Sequence, residues 1–183
     1  MSGAALILVR HARPQIEPDV PPPQWRLSAE GRAAAEALAG KLAHLRPAAA
    51  VASTEPKAIE TAEILARAFG LPVARDPAFD EHRREAWPFE ADPAAVTARV
   101  VRALSERGAS IEGAEPGDLA TQRFAAGLAR HRVRPLLVAS HGTVLSLFLA
   151  AHFGLNPVEL WRSLAFPEAL VLDADGRLIE RIA

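Results

Sequence analysis

The chain has 183 residues, half of them apolar, which suffices for one sizeable core and is short for two, since domains run ~100 to 200 residues. Its 21 basic and 22 acidic residues are spread along the whole length and leave a formal charge of -1, so no global field exists to attract nucleic acid or an anionic membrane. Cysteine is absent, which excludes disulfides, thiolate nucleophiles and zinc–thiolate sites.

The first element is the apolar run Ala4 to Val9, too short for a signal h-region and followed at once by Arg10-His11; it reads as a strand buried on both faces. No stretch of ~20 apolar residues runs without a charge, so a cytoplasmic protein without a membrane span is expected. After the proline-rich loop Pro14 to Pro23, Ser28 is a good N-cap for a helix with Ala34, Leu38, Leu42 and Leu45 at helical spacing. A short strand, Ala50 to Ala52, leads into Ser53-Thr54-Glu55-Pro56, where a hydroxyl cap and an early proline open a helix that Gly70 and Pro72 end.

The stretch 77–117 is less regular, with a helix expected from Pro93 to Arg107 capped by Asp92; it forms a candidate excursion over a site. A helix from Asp118 to Arg130 carries Phe124 and Leu128 inward, and Leu136 to Ala139 repeats the pattern of a buried strand just before Ser140-His141-Gly142. The helix Thr143 to Phe153 is apolar nearly all round, which places it centrally, and a short helix from Asn156 to Leu164 follows. Ala169 to Leu172 and Leu178 to Ile182 flank a hairpin turn at Asp173-Ala174-Asp175-Gly176. Strands alternating with helices imply one α/β domain over 1–183, in three α/β/α layers with a mostly parallel sheet and an antiparallel strand at one edge.

Such sheets bind ligands outside the carboxyl ends of their strands, and His11 and His141 both fall there. The chemistry that suits them is phosphoryl transfer, which needs an in-line nucleophile, cations for three equatorial oxygens and an acid for the leaving oxygen. A neutral His11 ring supplies the nucleophile, and Arg10 holds oxygens while disfavouring protonation of that ring. The N–H groups of His141 and Gly142 open a helix and suit an anion, with glycine allowing close approach. Glu81 is the first choice of acid, with Asp80 and Glu85 in the same charged run as alternatives. Arg83 and Arg84 read as exposed salt-bridge partners, and His44, His82, His131 and His152 as surface or helix residues.

The ordered set Leu8-Val9-Arg10-His11-Ala12, Leu27-Ser28-Ala29-Glu30-Gly31, Ser53 through Ala62, Glu81, and Ser140-His141-Gly142 resembles the histidine phosphatase superfamily, also called phosphoglycerate mutase-like, over most of the chain. The resemblance implies a phosphohistidine on His11, acid and then base service by Glu81, and a phosphate pocket of Arg10, His141 and a second basic residue. That residue is Lys57, where family members usually carry arginine; lysine keeps the charge and loses the planar fork. Arg13 follows Ala12 in place of the usual polar residues and is a further candidate contact. The expected activity is hydrolysis of a small phosphorylated metabolite without metal or other cofactor. A phosphoglycerate-type mutase, a phosphohistidine-protein phosphatase and a phosphate-binding protein with weak turnover are the competing readings.

Overall fold

The computed structural model describes residues 3–183. Its centre is a six-stranded sheet made of β1 (Ala4–Arg10), β2 (Ala49–Ala52), β3 (Val73–Arg75), β4 (Leu136–Ser140), β5 (Glu168–Asp173) and β6 (Leu178–Ile182), in the order β3-β2-β4-β1-β5-β6. Six helices accompany it: α1 (Ala29–Lys41), α2 (Pro56–Arg67), α3 (Pro93–Ser105), α4 (Gly117–Arg130), α5 (Gly142–Phe153) and α6 (Pro157–Ser163). None of the helices among the described residues is long and apolar enough to cross a membrane.

The continuous apolar runs exist because both faces of the sheet are covered. Along β1, Ile7 and Val9 face one way and pack with Leu38 of α1, Leu42 just past its end and Leu65 of α2. Leu8 faces the other way, into a cluster with Val100 and Leu104 of α3, Phe124 of α4 and Leu145 of α5. That alternation is the period of two of a strand, and it yields the three α/β/α layers expected. Helix α5 is buried along most of its length, as an all-apolar helix must be. Ser28 caps α1, its Oγ accepting the Gly31 N–H at 3.0 Å.

Several boundaries differ from expectation. Strand β3 has no signal of its own: Val-Ala-Arg is three residues long, and two of them are exposed. The reversed strand is β5, antiparallel to β1 and one place in from the edge, with β6 outside it. The hairpin sets only the β5–β6 pairing, so its position in the sheet was not readable locally. Helix α2 takes Glu55 as its N-cap residue without a side-chain cap, because the Ser53 hydroxyl is turned back onto the Glu55 N–H at 3.0 Å. In α1 the inward alanines are Ala35 and Ala39, and Ala34 is half-buried.

Candidate active site

The parallel neighbours β1, β2, β3 and β4 end on one side of the sheet, and their carboxyl ends deliver the candidate residues. In register, Arg10 of β1 lies beside Ser140 of β4, and the His11 N–H continues the ladder to the Ser140 carbonyl at 2.9 Å. Beyond β2, the Ser53 N–H bonds the Ala139 carbonyl at 3.0 Å and brings in the start of α2. Beyond β3, the Asp76 N–H bonds the Ala52 carbonyl at 2.9 Å, and the chain runs on to Glu81. The antiparallel β5 adds its first residue, Glu168, and those that precede it, Leu164 to Pro167, at the same end.

His11 is buried, with its ring centre 5.1 Å from that of His141. Its Nδ1 lies 2.7 Å from the Ala12 carbonyl oxygen, and a carbonyl can only accept, so Nδ1 carries the proton and Nε2 keeps its lone pair. Burial above all, then His141, Lys57 and Arg10, push the ring well below the ordinary imidazole range, against the pull of the Ala12 bond. The ring is therefore held in its neutral form, with the Nε2 lone pair uncommitted.

Arg10 donates from Nη1 to the Leu164 carbonyl at 2.7 Å and stacks on Phe166, with its guanidinium carbon 3.3 Å from the ring centre. Burial brings its pKa down to about 10, with Glu81 and Glu168 opposing. Its Nε is buried and has no partner within the protein. At Gly142 a Cβ would stand 2.9 Å from Arg10 Nε, so the missing side chain makes room for the guanidinium. Arg13 is exposed, 5.7 Å from the Phe166 centre, at the outer edge of the same stack.

Lys57 is buried and engaged. Its Nζ contacts Glu55 Oε2 at 2.5 Å and the Pro22 carbonyl at 2.8 Å. Glu55 is itself buried; burial raises its pKa while Lys57 and the Glu81 N–H, which bonds Oε1 at 2.9 Å, draw it down. The same Oε1 lies 3.5 Å from His141 Nε2, which meets the Ser53 hydroxyl at 2.7 Å. His141 Nδ1 is buried and unpartnered, and the ring is held well below its ordinary pKa by burial first and by Lys57 next.

The Glu81 carboxylate caps α5: Oε1 accepts the Val144 N–H at 3.0 Å and the His82 N–H at 2.9 Å, and Oε2 accepts the Thr143 N–H at 3.3 Å. The helix terminus expected to face an anion thus already holds one. Burial works against ionisation here, yet Arg84, His141 and these N–H groups outweigh it and keep Glu81 well below the usual carboxylate range. Arg84 is half-buried with Nη2 3.8 Å from Glu81 Oε2, which corrects its reading as an exposed salt-bridge residue. His82 is likewise buried, with Nε2 2.5 Å from the Glu115 carbonyl.

The structure gathers Arg10, His11, Lys57, Glu81, His141 and Gly142 at one end of the sheet and leaves Arg13 at the margin. Sequence reasoning assigned no part to Ser53, Glu55, Phe166 or Glu168. For Glu55 a signal existed, the spacing Glu55-x-Lys57 at a helix start; Phe166 lies in an irregular segment with none.

The histidine phosphatase superfamily (branch 1) family model matches residues 6–172. No curated protein matches the chain. Among solved structures it resembles mycobacterial hydrolase 1, at 20% identity with a TM-score of 0.72, covering 98% of this chain and 96% of that one. It also resembles the native mycobacterial glucosyl-3-phosphoglycerate phosphatase (22%, 0.71, 97% and 97%) and the alpha-ribazole phosphatase of Shigella flexneri (21%, 0.70, 97% and 95%). At these identities the structural likeness concerns the fold, and the family match covers nearly the whole chain. The chain belongs to the histidine phosphatase superfamily, branch 1, and with it to the phosphatase hydrolases.

Proposed function

We propose that the enzyme hydrolyses small phosphorylated metabolites in the cytoplasm through a phosphohistidine on His11. The observation that carries this reading is the tautomer of His11: Nδ1–H is committed to the Ala12 carbonyl at 2.7 Å, and a neutral Nε2 remains among Arg10, Lys57 and His141. In the first half-reaction Nε2 attacks phosphorus in line, the ester P–O bond breaks, and Glu81 hands a proton to the departing oxygen. In the second, Glu81 takes a proton from water as it attacks the phosphohistidine; the P–N bond breaks, and inorganic phosphate and neutral His11 are restored.

Arg10 Nε and His141 Nδ1, both buried without partners, are suited to phosphate oxygens, since leaving such a group unpaired costs about 1–3 kcal/mol. Lys57 adds charge from the α2 side, with Glu55 fixing where it stands. Ionised Glu81 must gain its proton before it can act as an acid, and the incoming phosphate supplies the cause: a dianion beside it offsets Arg84 and His141 and raises its pKa. A small substrate is supported by two of the similar structures, a glucosyl-3-phosphoglycerate phosphatase and an alpha-ribazole phosphatase, which by name act on small phosphorylated molecules.

The test is release of inorganic phosphate from an aryl phosphate by wild type and His11→Ala, with a chelator present. Wild type should turn over unaffected by the chelator, and His11→Ala should lose about a thousandfold or more. An active His11→Ala protein would contradict the nucleophile. Conversion of 3-phosphoglycerate to 2-phosphoglycerate without free phosphate would replace hydrolysis by mutase chemistry.

A further inference from the structure

Glu81 is carried by a segment with little regular structure: after β3 comes one short 3-10 turn, Pro77–Phe79, and then irregular chain as far as α3. Its main-chain carbonyls lack a helical or sheet ladder, and buried carbonyls need donors. The Ser140 hydroxyl serves the Phe79 carbonyl at 2.7 Å, and the carbonyls on either side of it are served by one side chain on α4. Arg123 Nη1 reaches the carbonyls of Ala78 at 2.9 Å, Asp80 at 3.0 Å and, more distantly, Pro77 at 3.3 Å; Nη2 reaches the Glu81 carbonyl at 3.2 Å.

The other side of the guanidinium is locked to Glu115, with Nε–Oε1 at 3.0 Å and Nη2–Oε2 at 2.8 Å, and both side chains are only 12% exposed. Glu115 then grips the chain past Glu81: its N–H bonds the Arg83 carbonyl at 2.7 Å, and its Oε2 accepts the Arg83 N–H at 3.2 Å. One helical turn beyond Arg123, Gly127 lets the segment sit flat on α4, since a Cβ there would stand 2.7 Å from Ala78 Cβ. The main chain of Glu81 is thus bracketed from both directions by one half-buried ion pair.

We propose that Arg123 is the positioning residue for proton transfer by Glu81, holding its main chain so that the carboxyl group meets the leaving oxygen. The proposal rests on the reading of Glu81 as the acid. Arg123 does not touch the carboxylate; it acts through the backbone, and it can do so because a planar fork with five donors spans several carbonyls and Glu115 at once. Lysine keeps the charge and cannot span them. That difference separates positioning from the plain electrostatic influence of Arg123, which also opposes protonation of His141.

The experiment is kcat/KM for 2,4-dinitrophenyl phosphate, whose leaving group needs no proton, and for a simple alkyl phosphate, whose leaving group does. It compares wild type, Glu81→Gln, Arg123→Met and Arg123→Lys, with thermal unfolding of each. Glu81→Gln should lose about 10²–10³-fold on the alkyl ester and under about tenfold on the dinitrophenyl ester. Both Arg123 variants should show the same asymmetry at smaller size, about 10–10²-fold on the alkyl ester and within about threefold of wild type on the other. Should Arg123→Met not fold, Arg123→Lys carries the test alone.

Equal losses on both esters, or a wild-type Arg123→Lys, would overturn the proposal while an asymmetric Glu81→Gln kept the acid assignment standing. A symmetric Glu81→Gln would instead remove the acid assignment, and the positioning role with it.

Discussion

Arg10 and Lys57 enter the same site in different states of satisfaction. Arg10 retains a buried unpartnered Nε, whereas Lys57 is already balanced by Glu55 at 2.5 Å. The substitution of lysine for the family's usual arginine is therefore accompanied by a carboxylate that anchors the shorter, forkless cation. Removing one member of such a pair leaves the other charge buried alone, which costs about 3–5 kcal/mol. Lys57→Met should lower stability by about that much, and adding Glu55→Gln should recover a good part of it; urea titration of the single and double variants checks this. A double variant no more stable than Lys57→Met would mean the pair is not coupled. From sequence, His11, Arg10 and His141 were legible as neighbours at one end of the sheet because they lie at the ends of buried strands. Arg84 was not, because a charge run gives no sign of which member turns inward; here Glu81 and Thr143 draw it in, with Nη1 3.5 Å from Thr143 Oγ1.

Among the elements, α5 has two jobs: its apolar body fills the layer between α4 and α6, and its first turn anchors Glu81 while making room for Arg10 at Gly142. Alanine is a better helix former than glycine, so Gly142→Ala should leave stability nearly unchanged while pushing the guanidinium aside. The expected result is a fall of about tenfold or more in kcat/KM with a Tm close to wild type. Unchanged activity would show that the Arg10 guanidinium need not lie there. The elements themselves were legible in proportion to their burial. Strands β1 and β4 declare themselves as apolar runs because helices cover both faces, whereas β3 is short, exposed and held mainly by its pairing with β2. The place of β5 between β1 and β6 depends on long-range pairing that no local pattern encodes.

At the scale of the whole molecule, one end of the sheet collects a neutral imidazole, several cations and an ionised carboxylate, and under the proposed mechanism the protonation of this set against its substrate determines the pH response. Free Glu81 titrates well below its ordinary value and free His11 well below its own, so Glu81 is ionised and His11 neutral near pH 7. Under the proposed mechanism, the proton that Glu81 passes to the leaving group must then arrive with the substrate. A phosphomonoester releases its second proton near pH 6, so kcat/KM should be level below about pH 6 and decline above it. Steady-state kinetics over this range checks the sign: a rate rising with pH would place the essential proton elsewhere.

The central claim, covalent transfer to His11, is tested most directly by rapid quench into alkali during turnover of 2,4-dinitrophenyl phosphate, followed by peptide mass spectrometry. With so good a leaving group the first half-reaction outruns the second, and the phosphoenzyme should accumulate in step with a burst of dinitrophenol. The account predicts a phosphoryl group on the peptide bearing His11 and none in His11→Ala. Turnover without any phosphoprotein, or with the phosphoryl group on another residue, would contradict it.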